Sequence, residues 1–393
     1  MEKIIIFSSH RTIESGGVGT HLRHLITEVK RSGVNSDILL GLPTKKMIKI
    51  KFLQKFLQFF YNSEQAQIIY YNTYILELKN ELQKLLLKSN EKEIVIHCHE
   101  KFTAIASYLC KNDNETKDIK IIQTLHAPFS DHFKMTQPNS KELFSYYRLL
   151  DIGMTMEINS LIGVDKLQVE IAENLMVKNS DQFITNISNA VDAQQLDKLG
   201  ADNIIFNTYG INNYFVIARH LLPKNGVIYG IMAFKEFLKS NKNFSLIVMG
   251  DGQERENIQE YISNNNLKDF VKLIGSKPHL ESLNIIKQSY ASIIPSIPMG
   301  LYIEATSLSM LESMYLGIPV LASRIGGLAE VISDRKNGLF FEPKNISEIV
   351  KVMNEIVENK ELYKIISFNS NLTVKTDFVS SIWFEKVMKV YNN

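Results

Sequence analysis

Residues 304–323 read EATSLSMLESMYLGIPVLAS. Leu308, Leu311, Met314 and Tyr315 recur at helical spacing, so the middle of the stretch is a helix with one apolar face. Val320–Ala322 then forms a short apolar run with no polar alternation, the mark of a strand buried on both faces. Glu304 and Glu312 stand eight residues apart, about two helical turns, and Glu304 precedes the helix that the apolar spacing defines. Ser309-x-x-Glu312 also satisfies a capping box, so one of these carboxylates has an ordinary structural explanation. A carboxylate at a strand–helix junction is equally well placed to accept from sugar hydroxyls, and two of them would reach different parts of one elongated ligand.

The same alternation runs through the chain. Strands are expected at Ile4–Ser8, Ser36–Leu40, Ile94–His97, Ile121–Leu125, Phe183–Asn186 and Asn203–Phe206, with a helix over Thr20–Arg31. A second series follows at Phe215–Ala218, Leu246–Met249, Val271–Ile274, Ser292–Pro295 and Val320–Ala322. Two such series in 393 residues imply an α/β chain of two doubly wound, Rossmann-like domains, joined near Asn212–Tyr214. We place the first domain at 1–212, the second at 213–375 and a C-terminal helical segment at 376–393.

Composition excludes several classes. With 45% hydrophobic and 22% charged residues and a formal net charge of +2, the chain lacks the basic excess of a nucleic-acid binder. Two cysteines make neither a disulfide framework nor a zinc knuckle, which points to a cytosolic protein. MEKIIIFSSH reads as a first strand rather than a signal peptide, and no apolar run approaches the ~18 residues of a membrane span. Residues 45–87 read as helical, with Lys45, Lys46, Lys49, Lys51 and Lys55 interleaved with Phe52, Phe56, Phe59 and Phe60. That pattern suits a helix packed on its own domain with a solvated lysine face, or a surface that meets an anionic membrane.

Candidate chemistry sits at strand ends. Gly16, Gly17 and Gly19 follow the first strand and precede a helix expected from about Thr20, where bare amides could meet an anion or merely form a flexible turn. His126 follows a strand directly, at the edge where open α/β sheets bind ligands. His97 and His99 also end a strand, but no third ligand at metal-site spacing accompanies them. Arg219, Lys224 and Gly226 lie between a strand and a helix, a placement suited to a diphosphate. Gly326–Gly327 offers a further loop before another short helix.

Taken in order, GGVGTHL, QTLH, ARHLLPKNGV, VMGDGQE, the Pro-Ser followed by E-x7-E, LGIPVLAS and GGLAEVI resemble a retaining glycosyltransferase of the GT-B fold, in glycosyltransferase family 4. The resemblance implies two domains facing across a cleft, the first binding the acceptor and the second the nucleotide-sugar, with the C-terminal helix crossing back to the first. Gly17 and Gly19 would face the donor sugar and its diphosphate, and His126 the sugar hydroxyls near the anomeric centre. Arg219 and Lys224 would hold the diphosphate, with Asn225 beside them where the family often has lysine. Glu304 would bind the donor sugar, Glu312 the ribose, and Gly275, Ser307 and Leu308 would contact the donor through backbone. Thr306–Ser307 replaces the family's usual aromatic-glycine pair. No metal and no cofactor is implied, since the leaving phosphate itself takes the acceptor's proton.

The function implied is transfer of a hexose or N-acetylhexosamine, with retention, from a UDP-sugar to a glycan, lipid-linked or small-molecule acceptor. The expected setting is bacterial cell-surface polysaccharide assembly in the cytoplasm, at the inner face of the membrane if residues 45–60 bind it. The alternatives are a GT-B nucleotide-sugar epimerase or phosphorylase-like enzyme, and a catalytically degenerate GT-B scaffold.

Overall fold

The computed structural model describes residues 1–11, 13, 16–126, 130, 139–175, 182–200, 202–300 and 303–393. Leu301 and Tyr302, just before Glu304, lie outside the described residues, as do residues 127–129 and 131–138 after His126. Contacts divide the chain into two compact units, residues 1–188 with 384–393, and residues 189–383.

In the first unit the strands are β1 (Lys3–Ser8), β2 (Ser36–Leu40), β3 (Glu93–Cys98), β4 (Asp118–Leu125), β5 (Ser160–Gly163) and β6 (Phe183–Asn186). They form one parallel sheet in the order β2-β1-β3-β4-β5-β6. The chain winds outward on both sides of β1, so the carboxyl ends of β1 and β3 flank the switch point where such sheets bind ligands. Ile4, Ile5, Ile6 and Phe7 of β1 are fully buried, as the unalternated run requires. The helices are α1 (Gly16–Ser32), α2 (Thr44–Leu57), α3 (Ser63–Lys88), α4 (Lys101–Asn112), α5 (Lys141–Glu157) and α6 (Lys166–Leu175).

Two details differ from the sequence reading here. Helix α1 begins at Gly16, not near Thr20, so Gly17 and Gly19 belong to its first turn. Side-chain periodicity could not see that turn because glycines carry none of it. Strand β5, SLIG, was not anticipated. The expected helical region 45–87 is two helices, parted where the Asn62 side chain accepts the Gln65 N–H at 2.8 Å and starts α3. Tyr74, Ile75, Leu78, Leu82 and Leu86 of α3 then form one face of the core.

In the second unit two short helices, α7 (Ala193–Asp197) and α8 (Ile204–Tyr209), precede the sheet. Its strands are β7 (Tyr214–Ala218), β8 (Ser245–Met249), β9 (Val271–Gly275), β10 (Ala291–Ile294), β11 (Val320–Ser323) and β12 (Leu339–Phe341). The helices that follow α8 are α9 (Val227–Phe237), α10 (Arg255–Asn264), α11 (His279–Lys287), α12 (Leu308–Tyr315), α13 (Gly326–Val331), α14 (Ile346–Glu358), α15 (Lys360–Asp377) and α16 (Ser380–Asn392), of which residues from Phe384 on belong to the first unit. The parallel order is β12-β11-β10-β7-β8-β9, the doubly wound arrangement whose switch point lies between β7 and β10.

The strand expected at Asn203–Phe206 is instead a helix start. The Asn203 side chain accepts the Phe206 N–H at 3.0 Å and Gly210, at φ +69°, ends α8 one turn later. The contact boundary falls after Ser188 rather than after Asn212. Val191 donates to Phe378 O at 2.9 Å, and Tyr315 donates to Asp197 at 2.9 Å, so residues 189–212 are fastened to the second sheet's helices. Among the C-terminal residues, 384–393 pack with the first unit, where the Tyr391 hydroxyl meets His97 Nδ1 at 2.6 Å.

Candidate active site

In the second unit the chain leaves β7 into Arg219 and returns through a single 3-10 turn, Pro223–Asn225, to α9. Gly226 sits between them at φ +58°, and a Cβ there would lie 2.0 Å from Pro295 O, so only glycine lets this turn close against the end of β10. The Arg219 guanidinium is the hub. Its Nη2 lies 2.7 Å from Glu304 Oε2, 2.7 Å from Asn225 Oδ1 and 3.2 Å from Ser296 Oγ, and Nη1 donates to Ser307 Oγ at 2.7 Å. Lys224 Nζ is 3.4 Å from the same Glu304 oxygen. Burial alone would raise the Glu304 carboxyl, but Arg219 and Lys224 outweigh it and hold the group at about 2.

The segment carrying Glu304 is fixed from both sides. Glu304 O accepts the Gly327 N–H at 2.9 Å, and Thr306 O accepts from the Asn189 amide at 2.8 Å. Gly326 is at φ +43°, where a Cβ would come within 2.2 Å of Glu304 O, which explains the Gly-Gly pair at this edge. Ser307 occupies the N-cap of α12 without a capping bond, since its hydroxyl serves Arg219, and Leu308 opens the helix. Asn225 is buried with its oxygen on Arg219 and its amide nitrogen donating to His220 O at 2.7 Å. It therefore positions Arg219, and Lys224 is the cation beside the carboxylate.

Glu312 does not form the capping box that Ser309-x-x-Glu312 offered. Its Oε1 meets His279 Nε2 at 2.8 Å, at the first position of α11. Gly275 ends β9 at φ +73°, and its carbonyl accepts the Gly250 N–H at 2.9 Å. Sequence reasoning gave no role to Ser296, although it lies in the Pro-Ser pair of the motif set, and it missed His279, which no local pattern marks.

In the first unit the switch point is organised by Glu100, which follows β3. Its Oε1 accepts from Ser8 Oγ at 2.6 Å and meets His10 Nδ1 at 2.6 Å, and its Oε2 accepts the Ser9 N–H at 2.8 Å. The hydrogen bond from Glu100 raises the pKa of His10. Beside it lie His126, His99 and His21, the last from α1, the helix that Gly17 and Gly19 begin. One ring nitrogen of each lies within 4.8 Å of the others, and His99 Nδ1 is 3.4 Å from His126 Nε2. His21 is the third imidazole that the sequence did not show beside His99, and among the described residues this trio is the group that could hold a metal ion. Burial, reinforced by the neighbouring imidazoles, depresses the pKa of both His99 and His126, so both are neutral near pH 7. Neutral imidazoles can ligate a metal or hydrogen-bond a sugar hydroxyl. His97 belongs to the framework: it is buried, bonded to Thr124 and Tyr391, and lowered by burial to about 3.

The arrangement in the second unit, two cations on one carboxylate at a Rossmann switch point, suits an anionic ligand with hydroxyl groups. Residues 203–372 match the family model of glycosyl transferases group 1. An uncharacterised glycosyltransferase of Methanocaldococcus jannaschii is 29% identical over 225 residues, 54% of this chain and 60% of the relative. The match thus spans less than two thirds of that relative's length. The UDP-Gal:α-D-GlcNAc-diphosphoundecaprenol α-1,3-galactosyltransferase of Escherichia coli is 23% identical over 323 residues, 78% of this chain and 79% of that protein. Anabaena HepE, crystallised with UDP and glucose, superposes with a TM-score of 0.71 at 14% identity, covering 100% of both chains. The fold is therefore that of the GT-B glycosyltransferases, two Rossmann-like domains, with the group 1 match lying in the second.

Proposed function

We propose that this protein is a glycosyltransferase that uses a nucleotide-diphosphate sugar as donor. The observation that carries the reading is the cluster of a buried Glu304 with the partly buried Arg219 and Lys224 between the ends of β7 and β10. Arg219 and Lys224 bind the diphosphate and stabilise the charge that grows on it as the glycosidic C–O bond breaks. Glu304 takes the sugar hydroxyls, and Glu312, steadied by His279, takes the ribose. Gly275, Ser307 and Leu308 line the donor through their backbone. His126 acts on the donor sugar as a neutral hydrogen-bonding group, with the α1 first turn at Gly17 and Gly19 beside it.

Transfer proceeds with retention, as the family 4 resemblance implies. The departing phosphate oxygen accepts the proton of the acceptor hydroxyl as the new bond forms, so the reaction needs neither a protein base nor a metal. UDP is the proposed nucleotide, which agrees with the donor named for the E. coli relative and the ligand in the Anabaena structure. The acceptor is a glycan, a lipid-linked sugar or a small molecule, in cell-surface polysaccharide assembly on the cytoplasmic side. The E. coli relative's diphosphoundecaprenol acceptor favours the lipid-linked form.

The test is incubation with a panel of UDP-, GDP- and ADP-hexoses and N-acetylhexosamines, followed by detection of released nucleotide and of the anomer formed. Slow release of nucleotide from one donor, with the donor's configuration kept in the product, supports the reading. A donor epimerised without release assigns the protein to the epimerase class instead. No release with any donor and any acceptor preparation refutes it.

A further inference from the structure

Helix α2 has two apolar sides, and only one of them is needed by the fold. Ile50 is buried and Met47 packs on the first unit's core, while Lys46 pairs with Glu77 and, at 3.0 Å, with Glu81 of α3. That contact fixes which face looks inward. On the opposite face Ile48, Phe52 and Phe56 recur every fourth residue, one stripe of a helix. All three are exposed, Phe52 at 73%. The stripe continues past the helix end into Phe59, at 85% exposed, Phe60 and Tyr61. The Phe56 and Phe60 rings lie against each other at a tilt, 5.2 Å between centroids.

Scattered exposed apolar residues are ordinary, but six large ones in fourteen positions, 48–61, are not. Their flanks decide the partner. At 100° per residue, Lys51 and Lys55 fall on one side of the stripe, Lys49 falls on the other and Lys45 projects between Phe52 and Phe56, and all four are exposed. Residues 41–63 contain five lysines and neither aspartate nor glutamate. An aromatic ridge with lysines to both sides of it fits a surface that is apolar inside and negatively charged at its rim. Lysine stems can lie along the acyl region while their ammonium groups reach the headgroups. A 14-residue helix is too short to cross a bilayer, and no helix among the described residues is long and apolar enough to do so.

We propose that α2 and residues 58–61 are a membrane-docking surface that lies in the plane of an anionic lipid bilayer. The ring side chains enter the acyl boundary and the four lysines engage lipid phosphates. This goes beyond the proposed transfer reaction and does not depend on it, because the surface is far in sequence from every residue assigned to chemistry except those of the first unit's frame.

The experiment is co-sedimentation of the full chain with phosphatidylcholine vesicles, with and without about a third of phosphatidylglycerol, at low and high salt. The wild type is expected to sediment with the anionic vesicles and to be released by salt. Phe59→Ala with Phe60→Ala, and separately Lys49→Glu with Lys51→Glu, are each expected to weaken partition by roughly tenfold or more, with unchanged melting because these side chains are exposed. Failure of the wild type to bind anionic vesicles overturns the proposal. So does equal binding by the variants, or a salt-insensitive dimer that the same substitutions dissociate, which would make a second copy the partner. Binding with no transfer activity leaves this inference standing and refutes only the proposed reaction.

Discussion

The Glu304 carboxylate lies 2.7 Å from the Arg219 guanidinium, with both side chains about nine-tenths buried. The carboxylate assigned to the sugar and the cation assigned to the diphosphate are therefore one electrostatic unit, joined by Lys224 at 3.4 Å. Charge in this unit favours an anion, because two cations face one carboxylate. Each of its members is tied to the others closely enough that substitutions should not act independently.

Replacing Glu304 by alanine is expected to lower turnover by roughly 10²-fold or more, through lost positioning of the sugar. The same change leaves a buried guanidinium without its counter-charge and should destabilise the second unit by about 3–5 kcal/mol. A nucleoside diphosphate would supply the missing negative charge, so UDP should raise the melting temperature of the variant more than that of the wild type. Near-wild-type rates would refute the role given to Glu304.

Asn225→Ala tests positioning apart from charge. With its amide gone, Arg219 loses one of its four polar neighbours. We expect kcat to fall about tenfold with little change in KM for the donor. A change confined to KM would mean that Asn225 touches the donor directly and that its contacts in the free protein rearrange.

The histidines give the pH dependence a definite sign. His97, His99 and His126 have folded pKa values below the ordinary 6.5, with burial the first cause. Below that value the unfolded chain binds protons the folded chain refuses, so stability falls as pH drops from about 7 to 5, by about 1.4 kcal/mol per pH unit for each such group. His10, raised by Glu100, works in the opposite direction: its contribution is fully present below about 6.5 and fades as pH rises through the raised value. Urea titrations at pH 7.5 and 5.5 measure the balance, and His97→Asn should flatten it. A protein equally stable at both pH values would contradict the neutral assignment.

Much of the fold is legible in the sequence because β1, β3, β7 and β8 carry unalternated apolar runs, as strands of a doubly covered parallel sheet do. The strands that escaped, β5 and β12, have four and three residues. Asn203 misled for a different reason: IIF after it is as apolar as a strand, and only its side-chain cap turns it into a helix. Of the candidate site, Arg219, Lys224 and Glu304 were readable from their motifs. The pairings were not, because His279 and Glu312 are 33 residues apart and His10 and Glu100 are 90 apart. Such contacts are made by the fold, and no spacing rule encodes them.

The three-histidine group of His21, His99 and His126 makes metal dependence a pointed question. Exhaustive chelation followed by metal analysis is expected to leave transfer unchanged, since Arg219 and Lys224 supply the charge stabilisation the proposed reaction needs. Loss of activity restored by one equivalent of zinc or another divalent ion would transfer that role to the trio.

The central claim, that the second unit holds a nucleotide-diphosphate sugar, is tested most directly by binding without an acceptor. Thermal shift or calorimetry with free nucleoside diphosphates and their sugars should show one nucleotide stabilising the wild type, by about 3 kcal/mol at a hundredfold excess over Kd. Glu312→Ala should lose most of that effect. If none of the nucleotides stabilises the protein, the donor site does not exist, and the Arg219–Glu304 pair is structural.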